Sequence, residues 1–154
     1  MERIKSFSVD HDFIKEGIYI SREQGDIVTY DLRMRVPNAG DYLDNLTIHS
    51  LEHMFATFIR NGEIKESVIY FGPMGCRTGF YLIVKDVPRE KVLEECISAL
   101  EKIIAHEGPV FGSTRKECGN YRELDLGAAK AEAARYLEVL RSENHTFEYP
   151  EGEK

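Results

Sequence analysis

The sequence has no long apolar run and only three cysteines, and each shortage excludes a class of protein. No run approaches the roughly 20 apolar residues that cross a bilayer. The N-terminal stretch MERIKSFSVDH also lacks the apolar segment of a signal peptide. We therefore expect a cytoplasmic protein with no membrane partner. Cysteines in that compartment are reduced, and their odd number argues against a closed disulfide framework.

Positive charge is also scarce. The chain has 20 Lys and Arg against 27 Asp and Glu, which gives a formal net charge of −7. No basic stripe stands out, so a role that depends on neutralising nucleic-acid phosphates is disfavoured, and we expect no nucleic-acid partner. With 154 residues, 42% of them hydrophobic, the chain is long enough to bury a real core. We expect one domain over residues 1–154.

Three segments have the pattern of β-strands. Residues 27–36 alternate between an apolar and a polar face, which is the period that a half-buried strand requires. Arg33 falls on the polar face, where a solvent-exposed arginine would be ordinary. Segments 66–72 and 79–85 are rich in β-branched and aromatic residues and predict two more strands.

Helical periodicity predicts three helices, at residues 47–61, 88–106 and 126–141. Strands come in adjacent pairs, with helices between and after them. This order favours an α+β fold, in which helices pack on one face of an antiparallel sheet of about four strands to form a two-layer sandwich.

Cys96 lies in the apolar stripe of the second helix, so we interpret it as a packing residue. The polar segment 109–124, which carries Cys118, is predicted to be mostly loop. The tail after about residue 143 is predicted to be frayed or disordered.

The first helix contains an unusual group of polar residues, His49, Glu52 and His53. A helix turns about 100° per residue, so the two histidines project within about 40° of each other, with Glu52 about 60° to the other side of His49. Two imidazoles at this spacing can grip one metal ion, and the order H-x-x-E-H occurs in metallopeptidases. Glu52 would then lie beside the ion as a general acid or base. The alternative is that these three residues are ordinary polar side chains on a helix that packs into the core, with no role in metal binding.

Two histidines do not complete a metal site, since a catalytic zinc usually has three protein ligands and one open position. Cys76 and Cys118 both lie in short turn-like segments and are the natural candidates for the third. A thiolate ligand suits zinc or ferrous iron. The other cysteine would remain as an unligated thiol, available as a base or nucleophile. Periodicity leaves open which cysteine has which role.

Several functions are consistent with such a group. Zinc deaminases and structural zinc sites require paired cysteines at short spacing, which this chain lacks. A small metal-dependent hydrolase with the inverted H-x-x-E-H motif is one function that fits these residues. A metal-stabilised binding module is another, although it leaves the second cysteine without a purpose.

Five segments together carry a resemblance to a known family: SFSVDH, YDLRMRVPN, IHSLEH, GPMGCRTGFY and KECGN. In this order and at these separations they resemble the S-ribosylhomocysteine lyase (LuxS) family, and the likeness runs from about Ser6 to about Leu140. It implies that His49, His53 and Cys118 are the metal ligands. It also implies the roles of five further residues: Cys76 and Glu52 as catalytic groups, and Ser6, His11 and Arg33 as substrate contacts.

The resemblance also implies an activity and its partners. The substrate would be S-ribosyl-L-homocysteine, cleaved to L-homocysteine and 4,5-dihydroxy-2,3-pentanedione by carbonyl migrations through enediolates and a β-elimination. One divalent ion per subunit is implied, ferrous iron first, with zinc or cobalt as substitutes. The family forms homodimers with active sites at the interface. Tyr70 stands where members often carry an acidic residue, which affects how the homocysteine end is held.

Overall fold

The structure, a computed structural model, describes residues 1–142 and 144–151. Four strands and three α-helices follow one another in the order β1, β2, α1, β3, β4, α2, α3. The strands are β1 Gly17–Gln24, β2 Ile27–Arg33, β3 Val68–Pro73 and β4 Gly79–Lys85. The helices are α1 Asn45–Ile59, α2 Arg89–Ala105 and α3 Leu126–Ser142. The predicted α+β fold with a four-stranded antiparallel sheet is confirmed.

The strands form one sheet in the order β1-β2-β4-β3, and every neighbouring pair is antiparallel. Gly79 at the start of β4 pairs with Arg33 at the end of β2. A Cβ atom at position 79 would lie 2.3 Å from the carbonyl oxygen of Leu32, so only glycine allows the two backbones this approach. The close approach brings the residue before Gly79 next to Arg33.

The helices cover one face of the sheet. Alternate sheet residues, among them Tyr30, Leu32 and Leu82, are fully buried in one cluster with apolar residues of all three helices. Cys96 lies in this cluster with no exposed surface, as the apolar stripe of α2 predicts. Burial there raises the pKa of the Cys96 thiol well above its ordinary value, so the side chain remains a neutral packing group.

The structure corrects several details. Strand β1 was not among the three predicted strands, and β2 ends at Arg33 rather than at residue 36. Helix α1 begins two residues before the predicted start and is capped by Asp44, whose carboxylate accepts a hydrogen bond from the Thr47 backbone N–H at 2.7 Å. The polar face of β2 is buried where the pattern suggested solvent, since Asp31 is 0% and Arg33 3% exposed.

The segment after α3 returns to the sheet. The backbone N–H of Ile20 donates to the carbonyl oxygen of Phe147 at 2.7 Å, and the Phe147 side chain is buried. The Tyr149 ring stacks on Tyr19 at a centroid distance of 4.9 Å. Residues 144–151, for which the sequence predicts a frayed or disordered tail, thus pack against β1. For residues 143 and 152–154 that prediction lies outside the described residues.

None of the helices in the described ranges has the length and apolar character needed to span a membrane.

Candidate active site

Helix α1 presents His49 and His53 to the same side, one turn apart. Their ring centroids are 4.6 Å apart and the ring planes are perpendicular. Both side chains are half-buried, because the opposite side of α1 packs into the core through Leu51, Met54 and Phe55. The helix is therefore anchored by its apolar face while the two imidazoles face the loop that follows α2.

Two backbone carbonyls orient these imidazoles. The Nδ1 atom of His49 lies 2.8 Å from the carbonyl oxygen of Glu123, and Nδ1 of His53 lies 2.7 Å from that of Phe111. A carbonyl oxygen only accepts, so each Nδ1 carries the hydrogen and donates it. Each Nε2 is then left with a lone pair, which is the arrangement that metal-binding histidines use.

Cys118 joins the two histidines. Its Sγ atom lies 3.3 Å from Nε2 of His49, and one ligand atom from each of the three residues falls within 4.8 Å of the others. With Zn–S and Zn–N bonds of about 2.3 and 2.0 Å, a tetrahedral ion needs a sulfur–nitrogen separation of about 3.5 Å. The distances and the chemistry of the three donors therefore fit one divalent ion.

A short turn fixes Cys118. Its backbone N–H donates to the carbonyl oxygen of Thr114, and Glu117 accepts hydrogen bonds from the Thr114 backbone and hydroxyl. These bonds lower the pKa of the Glu117 carboxyl below its ordinary value. Ser50 ties the following segment to α1, because its hydroxyl oxygen accepts the backbone N–H of Asp125 at 2.8 Å.

Glu52 lies on the same side of α1 as the histidine pair and is half-buried. Among the described residues its carboxylate has no hydrogen-bond or ion-pair partner. A carboxylate without a fixed partner can both accept and return a proton, which is what a general acid/base requires.

Cys76 lies apart from this group, in the turn between β3 and β4. Its side chain is exposed, and the turn is closed by backbone hydrogen bonds from Arg77 to Met74 and from Met74 to Gly79. The cleft around Cys76 has a volume of about 300 Å³ and is also lined by His11. None of His49, His53 and Cys118 is among its lining residues.

The hydrogen bonds of the Arg33 side chain lead to Cys76 through Thr78. Its guanidinium makes two bonds to the Asp31 carboxylate, at 3.0 and 2.5 Å, and one of 2.8 Å to the hydroxyl of Thr78. The Thr78 oxygen lies 3.0 Å from the sulfur of Cys76. Burial acts to lower the pKa of Arg33, but the adjacent Asp31 carboxylate outweighs it and raises that pKa above its ordinary value.

Ser6 lies elsewhere. It lines a cavity of about 420 Å³ on the sheet face away from the helices, together with Tyr70, Tyr81 and Ile83. The structure thus brings the three predicted metal ligands together and puts His11 beside Cys76. None of His49, His53 and Cys118, here called the metal-ligand group, lines the cavity around Cys76 or the cavity around Ser6.

Sequence reasoning missed Asp31, Thr78 and Tyr149, which complete the surroundings of Arg33. The Tyr149 hydroxyl donates to Asp31 at 2.7 Å. Burial, and then the Asp31 charge, raise the pKa of Tyr149 far above its ordinary value. The one available signal was the spacing of Asp31 and Arg33, since opposite charges two residues apart on a strand share a face. The two carbonyls that orient the histidines leave no signal in side-chain chemistry.

Comparison with known proteins shows which family the chain belongs to. The family model described as S-ribosylhomocysteinase (LuxS) matches residues 4–147. The S-ribosylhomocysteine lyase of Borreliella afzelii (strain PKo) is 42% identical over 157 residues, covering 97% of this chain and 100% of that protein. The S-ribosylhomocysteine lyase of Finegoldia magna (strain ATCC 29328) is 40% identical, covering 98% of this chain and 100% of that one. The chain therefore belongs to the S-ribosylhomocysteinase (LuxS) family.

Proposed function

We propose that this protein is an S-ribosylhomocysteine lyase, a carbon–sulfur lyase that converts S-ribosyl-L-homocysteine to L-homocysteine and 4,5-dihydroxy-2,3-pentanedione. The dione is the precursor of autoinducer-2, and homocysteine returns to the methyl cycle. The observation that carries this proposal is that the two cysteines lie in different surroundings. Cys118 meets His49 and His53, whereas Cys76 is exposed and unligated in a separate cleft.

One divalent ion per chain completes the site in this proposal. The Nε2 atoms of His49 and His53 and the thiolate of Cys118 would hold it, with ferrous iron as the native ion and zinc or cobalt as substitutes. When bound, the ion supplies Lewis-acid polarisation of a substrate carbonyl oxygen. Support for this assignment comes from the two backbone carbonyls that leave both Nε2 lone pairs available.

The chain's own residues move the protons. Moving a carbonyl along the sugar requires a proton to leave one carbon and another to be delivered to the neighbouring carbon. Cys76 and Glu52 are assigned these transfers, and a well-placed acid/base contributes about 10²–10⁴-fold each. Once the carbonyl lies β to the thioether, removal of one more proton expels the homocysteine thiolate. His11 is assigned a substrate contact because it lines the cleft beside Cys76.

Two chains are needed for a complete site in this proposal. Within one chain Cys76 is not a member of the metal-ligand group, and none of the three ligands lines its cleft. Two large apolar side chains, Ile4 and Tyr70, are also exposed where they line the cavity on the sheet face that the helices leave open. We assign that face to a homodimer interface, across which Ser6 of one chain and the metal-ligand group of the other approach one sugar. Each chain is taken as a single domain and as cytoplasmic.

The test is release of a thiol from S-ribosylhomocysteine by protein purified anaerobically with its metal, followed with a thiol-reactive dye. Release that disappears in Cys76→Ala, while metal analysis still finds about one ion per chain, is the expected result. Cleavage of a peptide library without thiol release would instead identify a metal-dependent hydrolase. Full metal occupancy without turnover of either substrate would identify a binding module.

A further inference from the structure

A continuous set of hydrogen bonds connects the C-terminal segment with the candidate catalytic cysteine. The Tyr149 hydroxyl bonds Asp31, Asp31 bonds Arg33, Arg33 bonds Thr78, and Thr78 bonds Cys76. Asp31, Arg33 and Thr78 in the middle are at most 3% exposed, whereas Cys76 at the end is open to solvent. Water therefore does not compete for the inner bonds, and each keeps a defined partner.

The direction of these bonds follows from the chemistry of the groups. An arginine guanidinium has only N–H donors, so the Thr78 oxygen must be the acceptor in its 2.8 Å contact with Arg33. In the 3.0 Å contact between the Thr78 oxygen and the Cys76 sulfur, either atom can donate while Cys76 is a thiol, but a thiolate has no hydrogen, so the hydroxyl is then the donor. Donation from the guanidinium also polarises the hydroxyl and strengthens the bond that it donates in turn.

Backbone contacts fix Thr78 in this position. Its carbonyl oxygen accepts the N–H groups of both Met34 and Arg35, at 2.8 and 3.0 Å. Gly79 follows directly, where a Cβ atom would collide with the Leu32 carbonyl. The residue is thus held from both sides in the geometry that joins Arg33 to Cys76.

We propose that Thr78 is a positioning residue for the lyase reaction, whose hydroxyl accepts from Arg33 and donates its single hydrogen to the Cys76 thiolate, which has no hydrogen of its own and can only accept. The inference rests on the proposed role of Cys76 as a proton-transfer group. The guanidinium then acts on the sulfur through Thr78, and Asp31 keeps it directed there with two hydrogen bonds. A stabilised thiolate is the form of Cys76 that removes a proton from substrate.

Other charged and titratable groups surround Cys76 and must be kept constant in a test. His11, Tyr42 and Arg77 line the same cleft, and Arg33 and Tyr81 approach from the sheet. A substitution at position 78 replaces none of them, and of these groups only Arg33 has a hydrogen bond to the Thr78 hydroxyl that such a substitution can remove. A difference in Cys76 reactivity between variants at position 78 is therefore due to the hydroxyl and not to these surrounding groups, which all variants share.

The experiment compares Thr78→Val with Thr78→Ser in the metal-loaded, full-length protein. Valine has nearly the shape of threonine but no hydroxyl, whereas serine keeps the hydroxyl and loses only a methyl group. The first readout is the rate of iodoacetamide alkylation of Cys76 against pH, followed by mass spectrometry of the peptide that carries it. The second is kcat and KM for thiol release from S-ribosylhomocysteine.

We expect the alkylation profile of the Val variant to have its midpoint about one pH unit higher than wild type, and its rate at neutral pH to fall about tenfold, because a hydrogen bond to a charged group is lost. Its kcat should fall by a similar factor with KM nearly unchanged. The Ser variant should restore both readouts to within about twofold of wild type, as expected when the hydroxyl is retained.

Superimposable alkylation profiles of wild type and the Val variant would overturn the proposal. If the Val variant does not fold, as judged by circular dichroism, Thr78→Ala replaces it, because the space it opens admits water to the Arg33 N–H group. If neither variant folds, Thr78 is needed for folding rather than for positioning Cys76, and that result would also overturn the proposal. Absence of thiol release from wild type would refute the proposed function. The alkylation comparison would still test whether the Thr78 hydroxyl donates to Cys76.

Discussion

The Nδ1 atom of His53 lies 2.7 Å from the carbonyl oxygen of Phe111, the residue directly before Gly112. Gly112 has a φ of +68°, and a Cβ atom there would lie 3.2 Å from the same Nδ1 atom. A side chain at position 112 would therefore strain the backbone and press on the imidazole that the carbonyl orients.

We predict that Gly112→Ala weakens metal binding about tenfold, because displacing a group that orients a metal ligand typically costs about 10–100-fold in affinity. It should also lower the free energy of unfolding by about 1 kcal/mol from backbone strain alone. Gly25→Ala is the matched control, since Gly25 has a φ of +62° and nothing within 4 Å of its Cβ position. Chelator competition measures the affinity, and chemical denaturation of the metal-free proteins measures the stability.

Both alanine variants should lose the stability that backbone strain costs, Gly112→Ala the more of the two because its Cβ also presses on His53, and only Gly112→Ala should lose metal affinity. Equal metal affinity in the two variants would mean that the Phe111 carbonyl does not hold His53 in its binding orientation.

The motif on α1 was predictable because it depends on local geometry. His49, Glu52 and His53 share a side of any helix at those positions, wherever the helix begins. The third member, Cys118, follows 65 residues after His53 in a loop, where no periodicity fixes its position. The family resemblance, not spacing, assigned it as the third ligand, and the structure brings the three side chains together.

The surroundings of Arg33 were not predictable from a pattern. Alternation along β2 assigned a polar face correctly but implied that solvent covers it. The face is buried because Asp31 and Arg33 satisfy each other and because Tyr149 bonds Asp31 from 118 residues away. Strand β1 was missed because its burial runs from fully buried at Gly17 to exposed at Gln24 and does not alternate.

Asp44 offers a test of how α1 begins. Its carboxylate caps the helix, and hydrogen bonds from the backbone and side chain of Thr47 lower the pKa of Asp44 below its ordinary value. The ionised form is thus favoured in the folded state. We predict that Asp44→Ala costs about 1 kcal/mol of stability at pH 7. This difference from wild type is fully present above the unfolded-state pKa of about 4 and disappears as pH falls through the lower folded-state value.

Urea denaturation of the metal-free proteins at pH 7 and at successively lower pH measures this difference. Asp44→Asn is the control, because asparagine caps helices about as well as aspartate but does not titrate. A gap between wild type and Asp44→Ala that stays constant down to about pH 3 would show that the cap is not the ionised carboxylate.

Cys96 is expected to be inert in the native protein. Its side chain has no exposed surface, and burial raises the pKa of its thiol, so neither access nor thiolate is available. Brief treatment with iodoacetamide at neutral pH should modify Cys76, which is exposed, and leave Cys96 unmodified until denaturant is added. Peptide mass spectrometry measures both positions in one sample, and Cys118 in metal-free protein serves as a half-exposed reference. Native-state labelling of Cys96 as fast as Cys118 would contradict the packing described for α2.

The separation of Cys76 from the metal-ligand group makes a sharper prediction about assembly. Cys76→Ala should retain the ion and lose thiol release, and Cys118→Ala should lose both, because only the second removes a ligand. The two inactive chains can be co-expressed with different affinity tags, and the mixed dimers isolated by two successive affinity steps.

If each site combines Cys76 of one chain with the metal-ligand group of the other, the mixed dimer contains one unaltered site and one that carries both changes. Its activity should then be about half that of wild type, as two equivalent sites in a symmetric dimer require. If each site lay within one chain, every site would carry one change and the mixed dimer would be inactive. Thiol release per dimer distinguishes these results, and wild-type chains carrying the same two tags give the reference. An inactive mixed dimer that still binds about one ion per Cys76→Ala chain would refute the shared site.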